Sequence, residues 1–143
     1  MKKITNSFKM ALPSKSINES FSRVVCAAFV SLADPTVEEI SDIKTAVSEA
    51  VTNCIVHAYE EKNGIIYISA DLFDDNTVRI KIRDKGVGIP DIPKALTPLF
   101  TTAGDDRSGL GFTVMESFTD KLTVKSVLEK GTTVTLVKKL HRK

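Results

Sequence analysis

The sequence is poor in the features that mark disulfide-bonded, membrane-spanning and nucleic-acid-binding chains. Its 143 residues include no tryptophan and only two cysteines, and the formal net charge is +2. Cys26 and Cys54 both lie in apolar helical patterns, which predicts buried small side chains rather than a disulfide or a metal pair. No apolar run approaches the ~20 residues of a membrane helix. The small net charge and the scattered basic residues argue against a nucleic-acid partner.

The composition that is present is that of one globular domain. Hydrophobic residues make up 42% of the chain and charged residues 27%, which is ordinary for a protein with its own core. The first six residues carry charge, and no apolar signal core follows them. We therefore expect a single cytoplasmic domain, residues 1–143, with no contact to a membrane or to nucleic acid.

Apolar periodicity predicts strands and helices along the whole chain. Period-2 alternation indicates a first strand at residues 6–12, which could be an edge strand and could pair with another chain. Asn18 is a plausible N-cap for the first helix, and Thr36 with Glu39 forms a capping box for the second. The remaining predicted elements are a helix from Thr36 to about Tyr59, hairpins at 64–83 and 121–139, and a helix ending near Phe118.

The stretch Asp84-Lys85-Gly86-Val87-Gly88 stands at the end of a predicted strand. Apolar residues occupy the even positions 78 to 82, and Asp84 keeps their parity, so it should point towards the covered face. A carboxylate in that position is costly unless something hydrogen-bonds to it. Gly86 and Gly88 let the backbone turn sharply and approach a ligand. The stretch indicates either a ligand pocket or an aspartate that caps its own turn.

The second predicted helix carries a polar strip. Glu49, Asn53 and His57 are spaced four residues apart and should stack on one face. Ala46 and Ala50 lie beside that strip and leave room for a ligand. The strip is either a site or the solvated side of an amphipathic helix.

The polar segment at residues 98–108 has no periodicity, which predicts a mobile loop. It is followed by a predicted helix whose first turn contains glycines. Gly109 and Gly111 would expose backbone N–H groups where the helix dipole favours an anion. Arg107 stands just ahead and is a natural phosphate partner. The sequence has no GxxxxGK[ST] pattern, so this is not a P-loop.

Taken in order, these motifs resemble the GHKL ATPase/kinase superfamily. The marks are Glu49 to His57, Asp84 to Gly88, Arg107 to Phe112, and Gly131-Thr132-Thr133. The resemblance covers nearly the whole chain and is strongest to the small anti-sigma factor serine kinases of spore-forming bacteria. It implies an α+β fold: a two-layer α/β sandwich with a mixed, mostly antiparallel sheet and helices on one face.

The resemblance also implies roles for individual residues. Asn53 would coordinate Mg²⁺, Asp84 would accept a hydrogen bond from the adenine amino group, and Glu49 would be the general base. Residues 98–108 would form a lid over ATP or its product ADP, while the role of His57 stays open. The residues expected to bind nucleotide are Asn53, Asp84, Gly86, Gly88, Thr101, Thr102, Arg107, Ser108, Gly109, Leu110, Gly111 and Thr133.

The resemblance implies protein partners as well. A homodimer would hold a sporulation sigma factor in an ATP-favoured complex and would phosphorylate a serine of an anti-anti-sigma factor. Arg23 has no evident internal role and could meet these partners, or it could be an ordinary solvated arginine. The alternatives are a general-stress anti-sigma kinase, a non-enzymatic module whose nucleotide sets a binding surface, and a simple ATP hydrolase.

Overall fold

A computed structural model of the chain describes residues 2–60, 62–89, 92 and 111–141. Alternating and helical apolar patterns form the elements that the sequence predicts, with small shifts at their ends. The strands are β1 (Ile4–Pro13), β2 (Ile65–Phe73), β3 (Thr77–Arg83), β4 (Lys121–Val127) and β5 (Gly131–Lys139). The helices are α1 (Ile17–Ser31), α2 (Val37–Asn53) and α3 (Gly111–Ser117), and a π-helical segment, Cys54–Ala58, continues α2.

The five strands form one sheet in the order β1-β2-β3-β5-β4. Every pairing between these described strands is antiparallel, so they contain no parallel component of a mixed sheet. The prediction of a two-layer α+β fold is confirmed, as is the prediction that the first strand lies at an edge.

The core lies between one face of the sheet and the helices. Strand residues of one parity are buried, as Ile68 and Ile80 show at 1% and 0% exposure, and the other parity faces away from the helices. Met115 of α3 is fully buried in the same core. Phe8 of the edge strand packs edge to face against Phe29 of α1, with ring centroids 4.9 Å apart. No helix in the described ranges combines the length and apolarity of a membrane span.

The two long helices begin differently. The capping box of α2 is confirmed: the Glu39 amide donates to the Thr36 hydroxyl at 3.1 Å, and the Thr36 amide donates to the Glu39 carboxylate at 2.8 Å. The prediction of Asn18 as the N-cap of α1 is wrong, because the helix already begins at Ile17. The Asn18 side-chain amide instead donates to the Pro13 carbonyl at 2.8 Å and ties the helix to β1.

The second predicted helix, from Thr36 to about Tyr59, has the predicted length, but it changes from α-helical to π-helical before its end. After Asn53 the chain widens into the π-helical segment, and the Tyr59 amide donates to the Cys54 carbonyl, five residues back, at 3.0 Å. A π-helical turn holds more residues than an α-helical turn. The four-residue spacing that aligned His57 with Glu49 and Asn53 therefore no longer fixes its face.

Candidate nucleotide site

One end of the candidate site is built around Asp84, directly after β3. Its carboxylate is 5% exposed, so the predicted inward orientation is confirmed. Oδ1 accepts from the Gly86 amide at 2.9 Å and from the Thr132 amide at 3.1 Å, while the Cys54 thiol lies 3.6 Å from Oδ2. Burial raises the pKa of Asp84, and these three hydrogen bonds oppose the rise. The aspartate thus caps its own turn and also joins that turn to the start of β5.

The loop after Asp84 is clamped between the π-helical segment and the turn that joins β4 to β5. The Val87 amide donates to the Ala58 carbonyl at 3.0 Å. A Cβ on Gly86 would lie 2.3 Å from that same carbonyl oxygen. A Cβ on Gly88, whose φ is +80°, would lie 2.6 Å from the Val127 oxygen. Both glycines are thus required by contacts between protein backbones, whether or not a nucleotide passes them.

The start of β5 lies against the same aspartate. Gly131 has a φ of +126°, and a Cβ there would lie 2.1 Å from the Asp84 carbonyl oxygen. Thr132 is buried, and its hydroxyl lies 2.8 Å from the Ser126 hydroxyl. Thr133 pairs with Arg83 on the sheet face away from the helices, so the structure does not bring it to the site. Thr132 is the threonine that contacts Asp84. The sequence could have shown this, because Thr132 shares the inward parity of Val134.

The other end of the site lies where α2 faces the start of α3. A Cβ on Gly111 would lie 3.3 Å from both side-chain polar atoms of Asn53 and 3.4 Å from Glu49 Oε2. The two polar side chains, one helical turn apart, therefore converge on this glycine. Both are partly exposed. They can thus face a ligand as well as the protein.

The chemistry of this end fits Mg²⁺ carried by a nucleotide. The Asn53 carboxamide and the Glu49 carboxylate offer hard oxygen donors, which Mg²⁺ prefers. The described residues include no cluster of three or more His, Cys, Asp or Glu side chains able to hold a metal ion. An ion that takes one or two protein ligands and completes its shell with phosphate oxygens and water suits such a sparse donor set.

Several predicted site residues cannot be placed. Thr101, Thr102, Arg107, Ser108, Gly109, Leu110 and the rest of the lid, residues 98–108, lie outside the described residues.

Arg23 lies in a cleft between α1 and α2. Its guanidinium is 3.4 Å from the Ser20 hydroxyl and 4.0 Å from the Glu19 carboxylate, while its Nε is buried with no hydrogen-bond partner in the described structure. The cleft has a volume of about 370 Å³. Its lining includes Lys44 and reaches Glu49. The Glu49 carboxylate therefore belongs both to the lining of this cationic cleft and to the pair of side chains that face Gly111.

Comparison with known sequences places this site in a family. The family of histidine kinase-like ATPase domains matches residues 16–138. An anti-sigma F factor of Caldanaerobacter subterraneus subsp. tengcongensis is 55% identical over 138 residues, covering 96% of each chain. An anti-sigma F factor of Geobacillus kaustophilus is 51% identical, covering 96% of this chain and 94% of the relative. The chain belongs to the anti-sigma F factor family.

Solved structures share the fold of this anti-sigma F factor family member. The crystal structure of the RsbU and RsbW domains of a Mycobacterium tuberculosis protein matches with a TM-score of 0.70 and 21% identity, covering 97% of this chain and 34% of that one. A histidine kinase domain from an Erythrobacter litoralis blue-light activated histidine kinase matches with a TM-score of 0.55 and 23% identity, covering 72% and 48%. At the family level, the chain has a nucleotide-binding, kinase-like ATPase fold.

Proposed function

We propose that this chain is a Mg-ATP-dependent protein serine kinase that also binds and inhibits a sporulation sigma factor of the sigma F type. The observation that carries the proposal is the convergence of Glu49 and Asn53 on Gly111. Asn53 lies directly before Cys54, whose thiol contacts the buried Asp84. A carboxylate base, a metal-binding amide and a base-reading acceptor are the groups that phosphoryl transfer from ATP needs.

Asp84 reads the adenine ring in this proposal. Its Oδ1 is occupied by two backbone amides, so Oδ2 is the oxygen that accepts from the adenine amino group. Asn53 holds Mg²⁺ through its carboxamide oxygen. When bound, Mg²⁺ neutralises charge on the phosphates.

Glu49 acts on the acceptor. It accepts the proton of the partner's serine hydroxyl as the serine oxygen forms a bond to the γ-phosphorus. The bond between that phosphorus and the β,γ-bridging oxygen breaks, and ADP leaves with the electron pair. A carboxylate on the wall of a cleft suits this role, because the cleft admits a partner segment while the same side chain faces Gly111.

The cleft supplies the partner site. Arg23 and Lys44 make it cationic, so it fits a segment of the anti-anti-sigma factor with an acidic side chain near the acceptor serine. Ser48 of α2 donates a hydrogen bond to Glu19 of α1, and this bond ties the two helices together beside the cleft. Because α1 carries Arg23, we assign the same helix to sigma factor binding.

The assembly acts in the cytoplasm as a homodimer. β1 is one of the two edge strands of the described sheet and exposes most of its outward side chains. An edge strand with unpaired backbone groups is a natural place for a second copy to join.

The decisive experiment follows labelled phosphate from Mg-ATP to a purified anti-anti-sigma factor, for the native chain and for Glu49→Gln. We expect label on a partner serine with the native chain and a loss of about 100-fold or more in the variant, because the base is gone. ATP binding should be nearly unchanged. Glu38→Gln, an exposed carboxamide substitution on the same helix, is the matched control and should transfer normally.

Each other outcome selects another function. Transfer that survives in Glu49→Gln would remove that residue from the mechanism. ATP binding without transfer would favour a nucleotide-dependent binding module, and release of phosphate without a labelled partner would favour a hydrolase. Label on a general-stress anti-anti-sigma factor alone would favour the general-stress kinase.

Arg23 has its own test. Arg23→Glu should weaken binding of both partners by placing a carboxylate in the cationic cleft, while ATP binding stays normal. Lys121→Glu makes the same charge change on an exposed position of β4 and serves as the control. Normal partner binding by Arg23→Glu would remove the cleft from the partner site.

A further inference from the structure

Cys54 lies at the junction of the two ends of the site. It is the first residue of the π-helical segment and follows Asn53 directly, and its thiol is 3.6 Å from Asp84 Oδ2. The side chain is 3% exposed. The sequence predicts it as a small buried hydrophobe, but its thiol also contacts the buried Asp84 carboxylate.

The two oxygens of Asp84 have different surroundings. Oδ1 accepts from two backbone amides, those of Gly86 and Thr132. Within the described residues, the one hydrogen-bond partner of Oδ2 is the Cys54 thiol. A carboxylate oxygen has two acceptor positions, so Oδ2 keeps one for a ligand.

We propose that Cys54 is a positioning residue for base recognition: its thiol holds Asp84 Oδ2 so that the remaining acceptor position faces the 6-amino group of a purine nucleotide. This inference rests on the proposed nucleotide function and deepens it, because it names a residue that tunes selection of 6-aminopurines. The backbone amides fix one carboxylate oxygen, and the thiol sets the other, which fixes the plane of the group.

The π-helical geometry places the thiol there. Tyr59 donates to the Cys54 carbonyl across the wide turn, while the Ala58 carbonyl at the end of the segment accepts from Val87. The same segment thus holds both the loop after Asp84 and the thiol beside it. The thiol faces the carboxylate in a buried setting and donates to Oδ2 at 3.6 Å.

The test compares two ligands in two proteins. ATP and purine riboside triphosphate, which lacks the 6-amino group, are titrated by calorimetry into the native chain and into Cys54→Ala. We expect Cys54→Ala to bind ATP about fivefold more weakly, the scale of one modest hydrogen bond, and to bind the deamino analogue as the native chain does. Cys26→Ala, at the other buried cysteine, controls for loss of a buried thiol elsewhere and should leave both affinities unchanged.

The pH profile gives a second readout that a structural role would not move. Adenine binding needs ionised Asp84, and a proton would settle on Oδ2 because the amides occupy Oδ1. The thiol hydrogen bond lowers the pKa of Asp84, so removing it should raise that pKa. On acidification, the variant should therefore lose its preference for ATP over the deamino analogue at a higher pH than the native chain does. Another titratable group at this loop is Tyr59, whose hydroxyl accepts from the Lys85 amide; burial raises the pKa of Tyr59, so it stays uncharged in the acid range.

The outcomes separate this inference from the proposed function. Equal weakening of both ligands in Cys54→Ala, or an unshifted pH profile, would overturn the positioning role. If the native chain itself bound ATP and the deamino analogue equally, the assignment of Asp84 to adenine would fail first. Thermal unfolding of each variant shows whether it is folded. A Cys54→Ser variant keeps a donor beside Oδ2 and should retain the native preference for ATP over the deamino analogue; loss of that preference in a folded serine variant would also overturn the positioning role.

Discussion

The two ends of the candidate site are built in opposite ways. The end around Asp84, proposed to bind the base, is called the base end. There Asp84 is buried, and two backbone amides hold one of its carboxylate oxygens. Glycines allow three backbone segments to come close together around it. The end around Gly111, proposed to bind the phosphates, is called the phosphate end. There Glu49 and Asn53 are partly exposed side chains that project from α2 towards Gly111.

In the proposed function, the buried end selects the nucleotide and the partly exposed end carries out the transfer. A buried carboxylate held by backbone groups has little freedom, so it can read the hydrogen-bond pattern of a base. A partly exposed carboxylate on a cleft can meet a partner's hydroxyl and exchange a proton. Changes at the base end should therefore alter stability and nucleotide affinity, and changes at the phosphate end should alter turnover.

Gly131→Ala should have the largest effect. The new Cβ would meet the Asp84 carbonyl oxygen at 2.1 Å, and a φ of +126° strains any other residue. We expect the free energy of unfolding to fall by about 3 kcal/mol or more, measured by urea denaturation.

Gly111→Ala is the matched change at the phosphate end. Its Cβ would meet only side-chain atoms of Asn53 and Glu49, at 3.3–3.4 Å. The free energy of unfolding should change by less than about 1 kcal/mol, since alanine favours a helix. Phosphoryl transfer should nevertheless fall. A Gly111→Ala variant that is as unstable as Gly131→Ala would break the contrast between the two ends.

Asn53→Ala should come next in size. Loss of the carboxamide should reduce phosphoryl transfer by about 100-fold, the scale expected when one transition-state contact is removed. Adenosine, which has no phosphates, should bind this variant as it binds the native chain, because the base end is untouched. Equal loss of adenosine and ATP binding would mean that Asn53 serves the fold rather than the phosphates.

Asp84→Asn should weaken ATP binding by about tenfold. The two backbone amides force the new side-chain oxygen towards themselves, so its NH₂ group would face the adenine amino group, donor against donor. Adenosine binding should fall in parallel, measured by calorimetry. Asp71→Asn, which breaks an ion pair with Arg79 on the other face of the sheet, is the control.

Stability should not explain the loss in Asp84→Asn. The folded pKa of Asp84 is raised, so this group favours folding below its unfolded pKa and loses that contribution as pH rises through the folded pKa. Near neutral pH the ionised carboxylate is a cost, which asparagine removes. A lower melting temperature for Asp84→Asn at pH 7 would contradict this reasoning.

Glu39→Gln should have the smallest effect and should spare both ends. Burial opposes ionisation of Glu39, but hydrogen bonds from Thr36 and His141 outweigh it and lower the pKa from 4.5 to about 2. The lowered pKa stabilises the fold above pH 4.5, and that contribution is lost as pH falls from 4.5 towards 2. At pH 7 the variant should be about 1 kcal/mol less stable in urea denaturation.

The difference between Glu39→Gln and the native chain should shrink as the pH is lowered below 4.5. Nucleotide affinity and phosphoryl transfer should match those of the native chain, because Glu39 lies at the start of α2 and Asn53 at its end. A difference in stability that does not depend on pH would show that the carboxylate charge is not what caps the helix.

Local pattern was enough to predict most of the frame. Alternation gave the strands and the inward orientation of Asp84, and the four-residue spacing brought Glu49 and Asn53 to one face. The capping box predicted the start of α2, because its hydrogen bonds join residues only three apart. The predicted start of α1 was wrong because the Asn18 side chain donates a hydrogen bond to the end of β1, a contact that helical periodicity does not predict.

The features that local sequence pattern did not predict depend on contacts between segments far apart in the chain. Cys54 and Asp84 are 30 positions apart, and Thr132 and Asp84 are 48 apart. The wide turn after Asn53 ends where the Ala58 carbonyl accepts from the Val87 amide, a contact that no periodicity records.

The sequence by itself determined the strands, most of the helix bounds and the family, because alternation, helical spacing and each family motif depend on side chains close together in the chain. Only the tertiary structure decided that Cys54 is the neighbour of Asp84 and that Gly86, Gly88 and Gly131 lie where backbone segments come close together. The physical reason is that hydrogen bonds and steric contacts act over a few ångströms in space, and folding brings together residues that lie far apart in the chain.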